Sequence, residues 1–486
     1  MLPGACSGGS VGLLWDHPSQ LGHSTVVSGR QTPRALSCRI VGNDPLEDRD
    51  ALVCAPVRLL YVALALVWAA LPLCAADWPH WRGPERDSST PETSGWDEGA
   101  WPPGEPAWQT DVGQGSATPV IADGRLYVHG WADGTDSVRC LDAPSGRPLW
   151  ASEYPALKHG RHHRGDENLY AGPQSTPEFD AATGYLYTLG VDGDLNCWST
   201  REDGRRVWGM SLYETFAVPQ RPDVGGDRRD YGYTTSPMVY GDLLLVEVGA
   251  EAGNLIAVDK RTGRRIWASQ CKDPAGHSGG PARIDVAGIP CAAVLTLRNL
   301  VVVRLDPGHE GETLAIHDWC TDFANSIASP TVVGDCVILS SGYNRSRTVK
   351  LRVAPGKTET LWESRAFSKV CSPTLCGDYV LLAWQKLRCL SLQTGEKVWE
   401  GGSFGDEGSC VVTQDGRAIV LGQKQLVLVQ GPQRSPGGYT ELSRRGGLKV
   451  GRCWAHVVLA EGRLYVRDTE GRLQCYELLP PGNGRQ

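Results

Sequence analysis

From about residue 115 to the C-terminus, short apolar runs alternate with turn residues, and the whole programme recurs eight times. Each repeat opens on a small residue and proline, then a few apolar residues, then an acidic-glycine turn. Thr118-Pro119 leads to Asp123-Gly124, Ser236-Pro237 to Gly241-Asp242, Ser329-Pro330 to Gly334-Asp335, and Ser372-Pro373 to Gly377-Asp378. Two more apolar runs follow, and a glycine turn ahead of a tryptophan closes the unit: Gly146 and Trp150, Gly204 and Trp208, Gly263 and Trp267, Gly395 and Trp399. Runs this short, β-branched and aromatic between turn residues, predict strands. Four strands in roughly 40 residues make one blade of a propeller. The pattern therefore predicts an all-β, eight-bladed β-propeller of four-stranded antiparallel blades within 105–480. The blades are expected at about 115–151, 175–212, 235–270, 279–320, 328–364, 371–402, 408–443 and 454–478. No stretch beyond residue 76 carries a helical period.

The last repeat lacks its tryptophan strand, and the missing piece stands at the other end of the chain. Pro106-Ala107-Trp108-Gln109-Thr110 resembles Pro148-Leu149-Trp150-Ala151 and Arg265-Ile266-Trp267-Ala268. The strand within 106–112 is thus expected to pair with the one containing Cys475, closing the ring and removing a free sheet edge. The tryptophans suit the gaps between blades, so packing accounts for them without a ligand. The seventh repeat fits least well, since Tyr439-Thr440-Glu441-Leu442 replaces the tryptophan strand.

Ahead of the blades the pattern breaks. Residues 1–56 are an irregular extension without period, and 77–104 form an arm rich in Trp and Pro. Between them, Arg58, the apolar run Leu59 to Ala70 and the small residues Cys74-Ala75-Ala76 describe a signal peptide over 57–76. Export to the periplasm or beyond is expected, with Asp77 as the mature end; an uncleaved segment would act as a membrane tether.

Export permits disulfides, and the chain holds 16 cysteines. Yet Cys140, Cys197, Cys389 and Cys475 occupy one repeated position, filled by Ala257 in the third repeat, which reads as a small buried core residue. Equivalent positions in separate blades are too far apart to bond. A net charge of −7 argues against a nucleic-acid partner.

Repeat spacing is uneven. Trp150, Trp208 and Trp267 stand much farther apart than Trp362 and Trp399, because inserts at 152–173 and 213–233 precede the second and third blades. Both open on one face, around the channel mouth, where a rigid scaffold usually carries its binding loops. The first insert offers His159, His162, His163 and Arg164. Its histidines suggest a metal, but the interleaved basic residues oppose one, and no metal site is expected. The second offers Tyr231 and Tyr233. Residues just before each first strand, Gln174, Thr234, His277, Asn325, Lys369, Asp406 and Trp454, are expected to ring the mouth, with Arg298 as a further cation. No phosphate loop, nucleophile elbow or catalytic triad can be assembled from the sequence.

The ending Ala257-Val258-Asp259-Lys260-Arg261-Thr262-Gly263-Arg264-Arg265-Ile266-Trp267 resembles the pyrroloquinoline-quinone (PQQ) repeat. That repeat builds both quinoprotein dehydrogenases and BamB-type assembly lipoproteins. With the arm at Trp78–Arg86 and the late segments Trp454-Ala455-His456 and Gly462–Asp468, the chain resembles secreted bacterial PQQ-like repeat proteins over residues 77–478. The resemblance implies an exported, non-catalytic scaffold binding a protein or other cell-envelope macromolecule at the channel mouth. The alternative it implies is a quinoprotein oxidoreductase using PQQ with calcium. The quinoprotein branch commonly carries an adjacent cysteine pair against the quinone, and no Cys-Cys occurs here, so no cofactor is expected.

Overall fold

The computed structural model describes residues 76–96, 101, 104–162, 164, 169–221, 230–322 and 325–478. The extension 1–56, nearly all of the 57–76 segment, and His163 lie outside the described residues. Eight antiparallel blades form the ring. The first runs from Val120–Ala122 outward to Pro148–Pro155, and the rest follow in chain order. In the sixth, Tyr379–Ser391 supplies both middle strands; its first half pairs with Thr374–Cys376 and its second with Lys397–Gly405.

Closure is as the repeat arithmetic predicts. Trp108–Asp111 pairs antiparallel with Arg472–Glu477, setting Trp108 opposite Cys475. The same cross-strand pairing recurs as Cys140 with Trp150, Cys197 with Trp208, Ala257 with Trp267 and Cys389 with Trp399. A bulge follows this position in blades one to seven and is absent from the eighth. One extra residue per outer strand increases its local twist.

Each outer tryptophan also faces the next blade. Gly146, Gly204, Gly263 and Gly395 have φ near 70°, and a methyl group on any of them would overlap the indole of Trp108, Trp150, Trp208 or Trp362 respectively. Only glycine meets both demands. The indole N–H groups of Trp108, Trp208 and Trp362 donate to Ala143, Lys260 and Leu392 carbonyls of the following blade, at 3.1, 3.2 and 3.0 Å. In the seventh blade Tyr439 meets Trp399 edge-on at 6.0 Å instead. The twelve described cysteines are all free, and Cys140, Cys197, Cys389 and Cys475 are fully buried.

The arm is ordered by the blades it crosses. Trp78 exchanges backbone hydrogen bonds with Ile121, and Ser88 and Thr90 bracket Val412. The buried Arg82 guanidinium donates to Thr331 Oγ1 at 3.0 Å and to the Pro330 and Pro373 carbonyls. Burial lowers its pKa to about 10, so it stays charged at neutral pH. Glu92 accepts from Gly462 N–H at 2.7 Å, and Asp77 lies against Asp123. Asp123, Val412 and Gly462 sit at the inner-strand ends away from the connections between blades, whereas Pro330, Thr331 and Pro373 sit where the connections enter the inner strands. The arm therefore meets the channel end opposite the mouth and reaches through Arg82 toward the mouth side. Among the described residues no helix is long and apolar enough to cross a membrane. Among the described residues, Leu212–Phe216 forms a helix capped by the Ser211 side chain at the start of the second insert, too short to carry the helical period whose absence the sequence shows.

Candidate functional site

The connections leading into the inner strands all emerge on one face. There the two inserts interlock. The Arg161 guanidinium donates to Asp230 Oδ2 through Nε at 3.1 Å and Nη2 at 2.9 Å, and His162 N–H donates to the Asp230 carbonyl at 2.7 Å. Arg221 reaches back to the Gly160 carbonyl at 2.8 Å and to Asp192 at 3.2 Å. Asp230 and Arg161 are both buried. The sequence presents two separate loops; the structure makes them one raised unit. Removing one partner of a buried pair costs about 3–5 kcal/mol. Asp230→Ala is therefore expected to lower the melting temperature and to open both inserts to limited proteolysis, with the blades uncut. Unchanged cleavage in both inserts would refute the interlock.

Inside this rim lies a cavity of about 760 Å³, within the usual size range for small-ligand sites. Of the residues expected to ring the mouth, Gln174, Thr234, His277, Lys369, Asp406 and Trp454 line it, and so does Tyr231. Its floor is the arm: the half-buried Trp81 lines the cavity and donates its indole N–H to Ser329 Oγ at 3.2 Å. On one side, aromatic rings form an arc. Trp454 lies 4.6 Å from Tyr170, Tyr170 5.8 Å from Tyr231, and Tyr231 meets His277 edge-on at 5.0 Å. Arg161 covers Tyr231 at 4.3 Å and Arg452 covers Trp454 at 5.3 Å. Across the space, Lys369 Nζ stands 4.8 Å from the Tyr343 ring, Gln385 donates to Asp406 at 3.4 Å, and Arg452 pairs with Glu407 at 3.6 Å.

Other expected residues lie elsewhere. Tyr233 is buried and donates to the Val248 carbonyl at 3.0 Å, so it anchors the second insert from beneath. His159 stacks on Trp131 at 3.8 Å, His162 is buried, and Arg164 is exposed; none lines the cavity. Asn325 is buried beside the mouth, outside the lining. Arg298 sits on a neighbouring turn, paired with Asp273 at 3.6 Å. Among the described residues no group of three His, Cys, Asp or Glu is placed to hold a metal ion.

Among the lining residues that sequence reasoning missed are Trp81, Tyr170, Ser278, Tyr343, Gln385, Glu407, Gln423 and Arg452. Gln385 and Gln423 sit at hairpin turns with φ of 58° and 49°. In a propeller, turns between second and third strands open on the mouth face, and that was the available signal.

The chemistry of the lining is that of neutral hydrogen bonding. Burial raises the Tyr343 hydroxyl to about 12 and the Cys371 thiol to about 12, and pushes Cys410 higher still. Burial also lowers His456 to about 4, leaving its imidazole neutral. These thiols are protonated and inert, not activated nucleophiles.

A 245-residue segment is 27% identical to the quinohemoprotein alcohol dehydrogenase ADH-IIG of Pseudomonas putida, covering 45% of this chain and 31% of that enzyme. A 260-residue segment is 26% identical to the outer membrane protein assembly factor BamB of Bordetella pertussis, covering 47% of this chain and 61% of that protein. The match thus spans less than two thirds of either relative. The crystal structure of BamB from Moraxella catarrhalis superposes with a TM-score of 0.51 at 13% identity, over 76% of this chain and 99% of that one, which is a likeness of fold. The family model described as outer membrane protein assembly factor BamB matches residues 134–401, more than half of the chain. A ring of PQQ-like blades with tryptophan-on-glycine contacts thus belongs, by sequence as by architecture, to the BamB family of β-propellers.

Proposed function

We propose that this protein is an exported, non-catalytic propeller that holds a cell-envelope protein on its channel-mouth rim. One observation carries the reading: the interlocked rim exposes Leu157 and Leu169, 83% and 48% accessible, on the first insert. Large apolar side chains held in water on this insert suit a protein partner. Family membership supports it, since the relatives' name describes an assembly factor for outer membrane proteins. The apolar run Leu59 to Ala70 ahead of Asp77 supports export.

The quinoprotein reading finds less support. A quinone tricarboxylate needs several fixed cations. Lys369 faces the cavity, but Arg452 is paired with Glu407, Asp406 adds a second carboxylate, and Arg298 lies outside. The lining residues do not fit PQQ, and we propose no redox cofactor.

Photo-crosslinking side chains placed at Leu157 and Leu169 should yield a discrete protein adduct in envelopes of the native host. Placed at Ile266 and Val398, exposed on outer strands, they should not. Adducts from the outer strands alone would overturn the rim assignment. Adding PQQ with calcium to the purified protein should leave the quinone spectrum unchanged; stoichiometric binding with turnover of alcohols would favour the oxidoreductase.

A further inference from the structure

We propose that the cavity inside the rim is a binding site for the end of a neutral oligosaccharide. The proposal rests on the mouth being the binding face and adds what the space beneath the rim accepts.

The first observation is shape. The cavity is entered from the mouth and floored by the arm through Trp81. A ligand of this size must enter end-first, so a chain terminus fits and a mid-chain stretch does not.

The second is the pairing of aromatic faces with neutral polar groups. Tyr170, Tyr231, Tyr343 and Trp454 line the cavity above Trp81, and all five rings are half-buried. An aromatic face carries partial negative charge and packs well against the weakly positive C–H groups of a pyranose face. Gln174, Gln385 and Gln423 line the same space, and beyond the bonds of Gln385 to Asp406 and Ser403 to Gln423 their amides can still donate and accept, as sugar hydroxyls do.

The third is unmet hydrogen bonding. Thr234 and Ser278 line the cavity, are 6% and 1% exposed, and their hydroxyls have no hydrogen-bond partner among the described residues. Both oxygens are closed off from water, so a ligand hydroxyl that reaches one by a small side-chain rotation gains a hydrogen bond the free protein lacks.

The fourth is charge. Lys369 and Arg452 face Asp406 and Glu407, with Arg452 paired to Glu407 and Lys369 placed on the Tyr343 ring. Two cations against two anions leave the lining neutral, which favours neither a polyanion nor a cation. A neutral ligand with one apolar face and many hydroxyls is the class that satisfies all four.

The test is an array of neutral gluco-, manno-, xylo-, galacto- and N-acetylglucosamine oligosaccharides, probed with the purified full-length protein and followed by calorimetry on the binders. At least one series should bind. Thr234→Val keeps the side-chain shape and should weaken that binding at least about tenfold without lowering the melting temperature. Trp454→Ala should weaken it comparably, whereas Lys369→Met should change it little. Binding to no sugar on the array would overturn the proposal. So would equal binding by wild type and Thr234→Val, or capture of acidic peptides through Lys369 in place of sugars. Thr234 lies beneath the rim, so crosslinking from Leu157 in the Thr234→Val protein separates failure of the sugar site from failure of the rim.

Discussion

A chain lacking residues 105–112 is expected to aggregate and to lose most of its cooperative stability. Trp108–Asp111 is the fourth strand of the eighth blade, and its removal exposes the edge of Arg472–Glu477. That strand buries Leu473, Cys475 and Tyr476, so the new edge would be both unpaired and apolar beneath. The loss also strips the Trp108 indole from Gly146 and the Ala143 carbonyl of the first blade and from Tyr465 of its own, weakening the seam between last blade and first. The core around this seam joins residues of blades seven, eight and one with the arm. Trp108→Ala alone should cost about 3 kcal/mol, the low end for a large aromatic because Trp108 is only half-buried. Light scattering after gel filtration and calorimetry give the readout. A truncated chain that stayed monomeric with unchanged melting would show that the ring does not need its closing strand.

The second large effect is expected in the pH dependence of stability. Glu247 ends the second strand of the third blade with its side chain 1% exposed, accepting one hydrogen bond from Gly276 N–H at 3.0 Å. Burial raises its pKa to about 8, against which that single bond acts weakly. Asp136, buried beside Tyr154 and His129, is raised to about 7 by burial, and Asp194 to about 6 by burial and the nearby Asp192 charge. In the folded protein these carboxyls hold protons that the unfolded chain releases near pH 4. Between about pH 4 and 8 the folded state therefore binds more protons, and stability falls as pH rises through that window. For Glu247 the penalty at pH 7 is about 3 kcal/mol. Glu247→Gln reproduces the protonated shape, so it should match the wild type near pH 4.5 and exceed it at pH 8, by thermal or urea unfolding. Parallel profiles for the two proteins would refute the assignment.

Legibility differed sharply between scaffold and site. Blade number and the closing partner of Cys475 could both be read because each rests on a repeated pattern, and repetition makes a weak signal strong. The mouth positions Gln174, Thr234, His277, Lys369, Asp406 and Trp454 were readable for the same reason, as each precedes an inner strand. The inserts carry no repeat, and of the candidates named there only Tyr231 lines the cavity. Tyr233 turned inward as an anchor, Tyr170 and Arg161 proved central, and the helix Leu212–Phe216 was too short to show a period. Trp81 was legible as part of an arm but not as a floor.

By itself, then, the sequence determined the blade, because a blade depends on turns, strand alternation and nearest-neighbour packing, all spaced within one repeat. Only the closed ring decided the cavity. It brings Trp81 of the arm, Tyr170 and Tyr231 of the inserts, Lys369 and Trp454 into one space from positions spread across almost the whole propeller. Which polar groups are left without partners there, as at Thr234 and Ser278, depends on contacts between blades distant in the chain. No local pattern encodes such contacts, because their geometry exists only after every blade has packed on its neighbours and the circle has shut.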